Sequence, residues 1–173
     1  YYLGIPVAVP YSLNDMAADT LGLLDALHIR QAHIVGMSMG GMISQLVTAL
    51  YPDRILSLTS IMSTSGERGK GVPSLSVSQQ MTKPSSKTHS ALDNAVDTWR
   101  MIGSPGYPVS DESVRALLKL EQQRSSNPAG YMRQIAAIYT APGRAKLLQT
   151  IKVPALVIHG QQDLLVPISG GID

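Results

Sequence analysis

The sequence has 173 residues, of which 44% are hydrophobic. This apolar content is enough for one domain with a substantial hydrophobic core and a small cap. A formal net charge of +2, without a basic stripe that carries interleaved aromatic residues, argues against a nucleic-acid partner. The sequence lacks cysteine, which excludes disulfides, thiolate metal sites and a cysteine nucleophile, and its apolar stretches are too short to span a membrane.

The two ends of the sequence show no start signal and no closing element. Tyr1 stands where an initiator methionine would be, and Gly4, Pro6 and Pro10 predict an irregular or extended lead-in. A charged-then-apolar leader is absent from the first residues, and the last ones up to Asp173 predict neither helix nor strand. We therefore expect the middle part of a longer protein, with a cytoplasmic location.

The first predicted helix begins after Ser12. Ser12 and Asp15 have the spacing of a capping box, and apolar residues recur at helical intervals as far as Leu27. This apolar stripe is predicted to lie on a sheet. His28 follows the helix, where a polar side chain suits the helix dipole, so we interpret it as a cap or surface residue.

A predicted strand, a tight turn and a helix follow at residues 32–50. The turn is Gly36-Met37-Ser38-Met39-Gly40, and Gly-x-Ser-x-Gly between a strand and a helix is the pattern of a nucleophile elbow. In this turn a serine on strained backbone projects its hydroxyl above the sheet edge, and small flanking residues, here Gly36 and Gly40, relieve the crowding. Ser38 is therefore the predicted nucleophile. The helix N-terminus favours negative charge beside it, and the Met39 amide is the expected oxyanion donor.

Other residues near the elbow have two interpretations each. His33 lies inside the predicted strand, where its side chain alternates with that of Ile34, and a structural role is favoured over a catalytic one. Met37 and Met39 flank the nucleophile, so they either belong to the core or contact a substrate.

Residues 55–62 predict a parallel strand that is apolar on both faces. From Ser63 to Ser90 the composition changes to Ser, Thr, Gly, Lys and Pro, which predicts a mobile loop or hinge. The cations of this segment either are solvated or attract an acidic substrate; they are Arg68, Lys70, Lys83 and Lys87.

Three amphipathic helices are predicted at residues 91–102, 111–123 and 128–139, the last two after the caps Ser110 and Asn127. Together they predict a small helical cap. Trp99 and Tyr139 are candidate substrate contacts, although apolar stripes of this kind usually belong to a core. A short helix at 144–149 is predicted to return the chain to the sheet.

A second apolar strand is predicted at residues 155–160, buried and parallel, and Asp163 follows its carboxyl end. Ligands of open α/β sheets bind beyond the carboxyl ends of the strands, so the loop of Asp163 and the turn of Ser38 are expected to meet. A lone loop aspartate is ordinarily a turn residue, but the strand before Asp163 and Val166-Pro167 after it favour a catalytic acid.

Two blocks of this sequence resemble the α/β-hydrolase family. One spans residues 11–55 with the Ser38 turn, and the other spans residues 153–167 with Asp163. The segments Trp99-Arg100 and Tyr139-Thr140 are similar to aclacinomycin methylesterase-like hydrolases. The resemblance implies an α/β fold with a mostly parallel sheet, flanking helices and an inserted helical cap. It also implies a sheet that is incomplete at both ends, with core residues 1–62, hinge and cap residues 63–143, and core residues 144–173.

The resemblance further implies a serine hydrolase that acts through an acyl-enzyme on a small to medium ester, without a metal or organic cofactor. The family order Ser…Asp…His requires a histidine after Asp163. All four histidines precede it, so we expect the catalytic histidine and the first oxyanion donor to lie outside this sequence. Hydrolysis of a lactone or of a carbon–carbon bond and cofactor-free perhydrolysis remain alternatives, as does a non-catalytic hydrolase-like binding module.

Overall fold

In this computed structural model, the described residues are 9–81, 90–125 and 127–173. Helices and strands alternate at first, and the chain then runs through a helical stretch before it returns to the sheet. In chain order the elements are α1 Leu13–Ala26, β1 Ala32–Met37, α2 Met39–Leu50, a 3-10 turn Pro52–Arg54, β2 Ile55–Ile61, α3 Leu75–Met81, α4 Ala91–Ile102, α5 Asp111–Arg124, α6 Pro128–Thr140, α7 Ala145–Leu148, β3 Ala155–Ile158 and α8 Ser169–Ile172.

The three described strands form one parallel sheet in the order β1-β2-β3. Met37 pairs with Ile61, and Ile61 pairs with Ile158, so the carboxyl ends of the three strands are level. The turn after β1 and the loop after β3 therefore leave the same edge of the sheet. Two strand spacings separate them, which is about 10 Å.

The predicted capping box of α1 is confirmed, because Ser12 and Asp15 exchange side-chain and backbone hydrogen bonds. The prediction that its apolar stripe lies on the sheet is confirmed only in part. Leu13, Ala17 and Leu21 are buried in one core cluster with Ile55 of β2 and with an equal number of residues from α2, which are Met42, Leu46 and Val47. α2 is the element that α1 contacts most, and α2 also contacts β1 and β2.

The prediction of a mobile loop from Ser63 to Ser90 is also wrong in part. Ser63, Thr64 and Ser65 are buried, and α3 forms within the segment, with Val77 as its buried residue. Ser63 and Thr64 each donate a hydrogen bond to a backbone carbonyl, so polar composition here reflects buried hydrogen bonding instead of solvation. Lys83, Lys87 and His89 lie outside the described residues.

The three amphipathic helices are confirmed as α4, α5 and α6, each with a side-chain cap. An ion pair of 2.7 Å between Arg115 of α5 and Asp93 of α4 joins two of them. Hydrogen bonds from Ser90 and Arg115 hold the pKa of the Asp93 carboxyl well below its ordinary value. The pair therefore stays charged at neutral and mildly acidic pH.

β3 is parallel to β2 as predicted, but the prediction that it is buried is wrong. Leu156, Val157 and Ile158 are about half exposed. Its apolar run is typical of a strand with both faces covered, whereas within the described ranges β3 pairs with β2 alone. Across those same ranges, none of the helices combines the length and apolar character needed to cross a membrane.

Candidate active site

Ser38 lies between β1 and α2 in a conformation that non-glycine residues rarely adopt. Its φ is 53° and its ψ is −121°, and such a backbone costs about 1–3 kcal/mol. The turn is held by three backbone hydrogen bonds: the Ser38 N–H donates to Ile61, and the Ser38 carbonyl accepts from Gly41 and Met42. The serine stands at the N-cap position of α2, but its hydroxyl makes no capping hydrogen bond.

The glycines of the turn do not all serve the same purpose. A Cβ on Gly36 would overlap the Gly40 carbonyl and the Ser44 hydroxyl, and one on Gly41 would come within 2.6 Å of the Ser63 Cβ. A Cβ on Gly40 would meet nothing within 4 Å, so the prediction that Gly40 relieves crowding is wrong. Gly36 and Gly41 are the residues that let the strand, the helix and the loop after β2 approach closely.

Gly36→Ala is therefore expected to lower the free energy of unfolding by about 3 kcal/mol, because the added methyl group meets backbone that cannot move away. Gly40→Ala is the matched control and is expected to be neutral or to stabilise α2 by up to about 1 kcal/mol. Urea denaturation of the full-length variants measures both changes. Equal losses in the two variants would contradict this account of the turn.

A buried hydrogen-bond network supports the elbow from behind. The Ser63 hydroxyl donates to the Ser38 carbonyl at 2.8 Å. The guanidinium of Arg144, which is 4% exposed, donates to the Thr64 carbonyl at 2.8 Å and to the Gln45 amide oxygen at 3.4 Å. The Arg144 N–H also donates to the Ser65 carbonyl. These bonds join the elbow helix, the loop after β2 and the start of α7.

Glu67 completes this network. Its carboxylate accepts from the Ala145 N–H at 3.1 Å, and its charge opposes the lowering of the Arg144 pKa that burial causes. Sequence reasoning missed Ser63 because its segment looked like a solvated loop. It missed Arg144 because a single arginine after Pro142-Gly143 carries no local signal of burial.

Asp163 lies in the loop after β3, and its side chain is 12% exposed. One carboxylate oxygen accepts from the backbone N–H groups of Leu165 and Val166, each at 2.9 Å. The other oxygen is 3.7 Å from Nε2 of His159. The carboxylate is thus fixed through one oxygen by its own loop.

His159 supports this loop, in line with its placement at the strand end. Its Nε2 lies 2.6 Å from the Val166 carbonyl, and because a carbonyl can only accept, Nε2 carries the hydrogen and donates it. Its Nδ1 is buried and faces Gly171 without a hydrogen-bond partner in the described ranges. His28 is exposed after α1, and His33 pairs with the Ser57 hydroxyl. The hydrogen bonds of His33 and His159 in the described residues therefore go to groups other than Ser38.

The candidate substrate contacts are placed differently. Met37 is 59% exposed beside Ser38, whereas the side chain of Met39 packs against the core cluster. Trp99 lines a cavity of about 600 Å³ together with Gln162 and Leu164, the neighbours of Asp163. Tyr139 is exposed on α6 and does not line that cavity.

Two curated proteins and one solved structure illustrate what this chain is similar to. Rhodomycin D methylesterase DauP of Streptomyces sp. (strain C5) is 28% identical over 182 residues, which cover 91% of this chain and 60% of the esterase. 3-Oxoadipate enol-lactonase 2 of Acinetobacter baylyi is 29% identical over 94% of this chain and 58% of the lactonase. The crystal structure of the enol-lactonase from Burkholderia xenovorans LB400 superimposes with a TM-score of 0.65 and 26% identity, covering 96% of this chain and 61% of that one.

The chain thus spans about three fifths of the length of the curated relatives that it matches. A family profile described as the alpha/beta hydrolase fold matches residues 6–173. The parallel sheet with its flanking helices and the turn at Ser38 agree with that match. The chain belongs to the α/β-hydrolase family.

Proposed function

We propose that the protein is a serine hydrolase that cleaves a small to medium carboxylic ester, with Ser38 as the nucleophile. The observation that carries this proposal is the positive φ of Ser38 at the carboxyl end of β1, where its hydroxyl is not used to cap α2. A strained serine whose hydroxyl does not cap the helix that it precedes suits nucleophilic attack better than it suits a capping role.

In the proposed reaction, the Ser38 oxygen attacks the carbonyl carbon of the ester and loses its proton to a base. The first N–H groups of a helix have no acceptor within that helix. The Met39 N–H, at the start of α2, is therefore proposed to stabilise the negative charge that develops on the carbonyl oxygen. Collapse of this intermediate breaks the bond to the alcohol oxygen, which takes the proton from the base and leaves as the alcohol, while the acyl group stays on Ser38. Water then releases the acid by the same steps.

Asp163 is proposed as the acid that orients the catalytic histidine. Its carboxylate is held through one oxygen by Leu165 and Val166, which leaves the second oxygen for a further donor. We propose that the histidine is supplied from outside this chain, because Nε2 of His159 is already occupied by Val166. Met37, Trp99 and Tyr139 are the proposed substrate contacts.

We also propose that residues 63–143 form a unit inserted between the core parts 1–62 and 144–173. The helical stretch from α3 to α6 supports this division, because it separates β2 from β3 in sequence while the two strands pair in the sheet. In this proposal a substrate would enter at the cavity that Trp99 of α4 lines together with Gln162 and Leu164, the neighbours of Asp163.

Two other functions are candidates for the same site. The relatives are named as a methylesterase and an enol-lactonase, so a lactone is an alternative substrate, as are the carbon–carbon bond and perhydrolysis reactions predicted above. A non-catalytic binding module is the second candidate, and it is favoured by the absence of a histidine bonded to Ser38 in the described residues.

Turnover of an activated ester separates these candidates. The 173-residue chain alone is expected to hydrolyse nitrophenyl acetate no faster than background, because Ser38 lacks a base and triad members act as a unit. The full-length protein is expected to release nitrophenol in a burst, as an acyl-enzyme requires. Turnover by the short chain that disappears in Ser38→Ala would disprove the external histidine. A full-length protein without turnover on esters or lactones would favour the binding module.

A further inference from the structure

One cavity lies beside the proposed active site. Its volume is about 600 Å³, within the range of pockets that hold small molecules. It is a partly open cavity lined by α4, the segment 103–109, the start of α5 and the loop after β3. Its apolar and aromatic lining side chains include Trp99, Pro105, Tyr107, Pro108, Val109 and Leu164.

The lining is predominantly apolar and carries two aromatic rings. Trp99 is 37% exposed and Tyr107 is 84% exposed, so both rings have free surface on which a ligand ring can stack. Flat apolar ligands gain most from such a lining, because offset or edge-to-face ring contacts add to the burial of apolar area.

The charge around the cavity disfavours anions. Arg100 is the charged residue of the lining, and its guanidinium is bonded to both Asp97 and Asp111. Hydrogen bonding to Asp111 raises the pKa of Arg100, and the same contact lowers the pKa of Asp111. One cation between two carboxylates leaves a net negative charge, so an anionic ligand finds no free positive partner among the described residues of the lining.

The position of the cavity links it to the proposed chemistry. Gln162 and Leu164 line it and stand on either side of Asp163. We propose that this cavity binds a neutral, aromatic part of the ester substrate and thereby sets the specificity of the enzyme. This inference rests on the proposed hydrolase function for the identity of the substrate, but the binding itself requires no catalysis.

Trp99 makes the test direct, because it is the single tryptophan of this chain. Methyl 4-nitrobenzoate is a neutral aromatic ester whose nitro group quenches indole fluorescence, and 4-nitrobenzoate is its anionic counterpart. The full-length Ser38→Ala variant is used so that the ester is not consumed, and any tryptophan beyond this chain is replaced by phenylalanine. We expect saturable quenching by the ester and at least about tenfold weaker binding of the acid.

Two tyrosine variants show where the probe binds. Tyr107→Ala removes an exposed ring from the cavity, and we expect it to weaken binding of the ester by about two- to tenfold. Tyr131→Ala is the matched control, because Tyr131 is exposed on α6 and does not line the cavity. Its affinity is expected to equal that of the parent.

Three results would overturn the proposal: quenching that does not saturate, equal binding of ester and acid, or equal effects of the two tyrosine variants. The binding test is independent of the proposed function. Saturable binding without labelling of Ser38 by a serine reagent would retain the cavity and reject the hydrolase. Labelling of Ser38 without saturable binding would retain the hydrolase and reject the cavity.

Discussion

Ser38→Ala in the full-length protein is expected to abolish covalent labelling by a fluorophosphonate and to lower ester turnover by about 10⁶-fold. The variant removes the attacking oxygen but leaves the backbone of the turn, which is held by Ile61, Gly41 and Met42, not by the hydroxyl. Alanine accepts the positive φ no better than serine does, so the free energy of unfolding is expected to change little. Intact mass after labelling and initial rates on a nitrophenyl ester measure the two effects.

Ser57→Ala serves as the control for this experiment. Ser57 lies on β2 and bonds His33, at the opposite end of the sheet from the elbow, so its loss is expected to leave labelling unchanged. A labelled peptide that contains another serine, or labelling that persists in Ser38→Ala, would assign the nucleophile elsewhere.

The parts of this fold that could be predicted from the sequence are those with short-range causes. The capping box of α1 depends on Ser12 and Asp15, and the α6 cap depends on Asn127 and the Gly130 N–H. The turn at Ser38 is likewise predicted by a motif of five consecutive residues. Each of these signals lies within one turn of a helix or one strand end, so pattern and spacing are sufficient to find it.

The errors have long-range causes. α1 packs mainly against α2, and no periodicity within α1 tells which element will cover most of it. Arg144 and Gln45 are 99 positions apart, and their contact leaves no mark on either local sequence. The burial of Ser63 depends on the same kind of contact, because its partner is the Ser38 carbonyl.

The candidate site was predictable to a similar degree. The motif predicts Ser38 as the nucleophile and the Met39 amide as the oxyanion donor, and the strand end predicts Asp163 as the acid; these roles stay predictions. Trp99 was predicted as a candidate substrate contact, but the cavity that it lines was not predicted. Its other walls come from the segment 103–109, which has neither helical nor strand periodicity, and only the folded chain brings that segment beside Leu164.

Asp163→Asn in the full-length protein is expected to lower kcat by about 10⁴-fold and to leave KM and stability close to those of the parent. Asparagine retains an oxygen that can accept from Leu165 and Val166, so the loop keeps its hydrogen bonds. It loses the negative charge that would orient and stabilise a protonated histidine. Steady-state rates on a nitrophenyl ester and thermal unfolding of the same samples separate the two effects.

Glu67→Gln is the matched carboxylate control. Glu67 is the first carboxylate in the sequence after β2, which makes it the alternative candidate for the acid if Asp163 is not the acid. Its amide counterpart can still accept from the Ala145 N–H, so folding is expected to be preserved. We expect Glu67→Gln to keep turnover within a few-fold of the parent, because the carboxylate already bonds the start of α7 and stands beside Arg144. If instead Glu67→Gln loses turnover and Asp163→Asn retains it, the acid of the site belongs to the loop after β2, and the two bonds at Asp163 are purely structural.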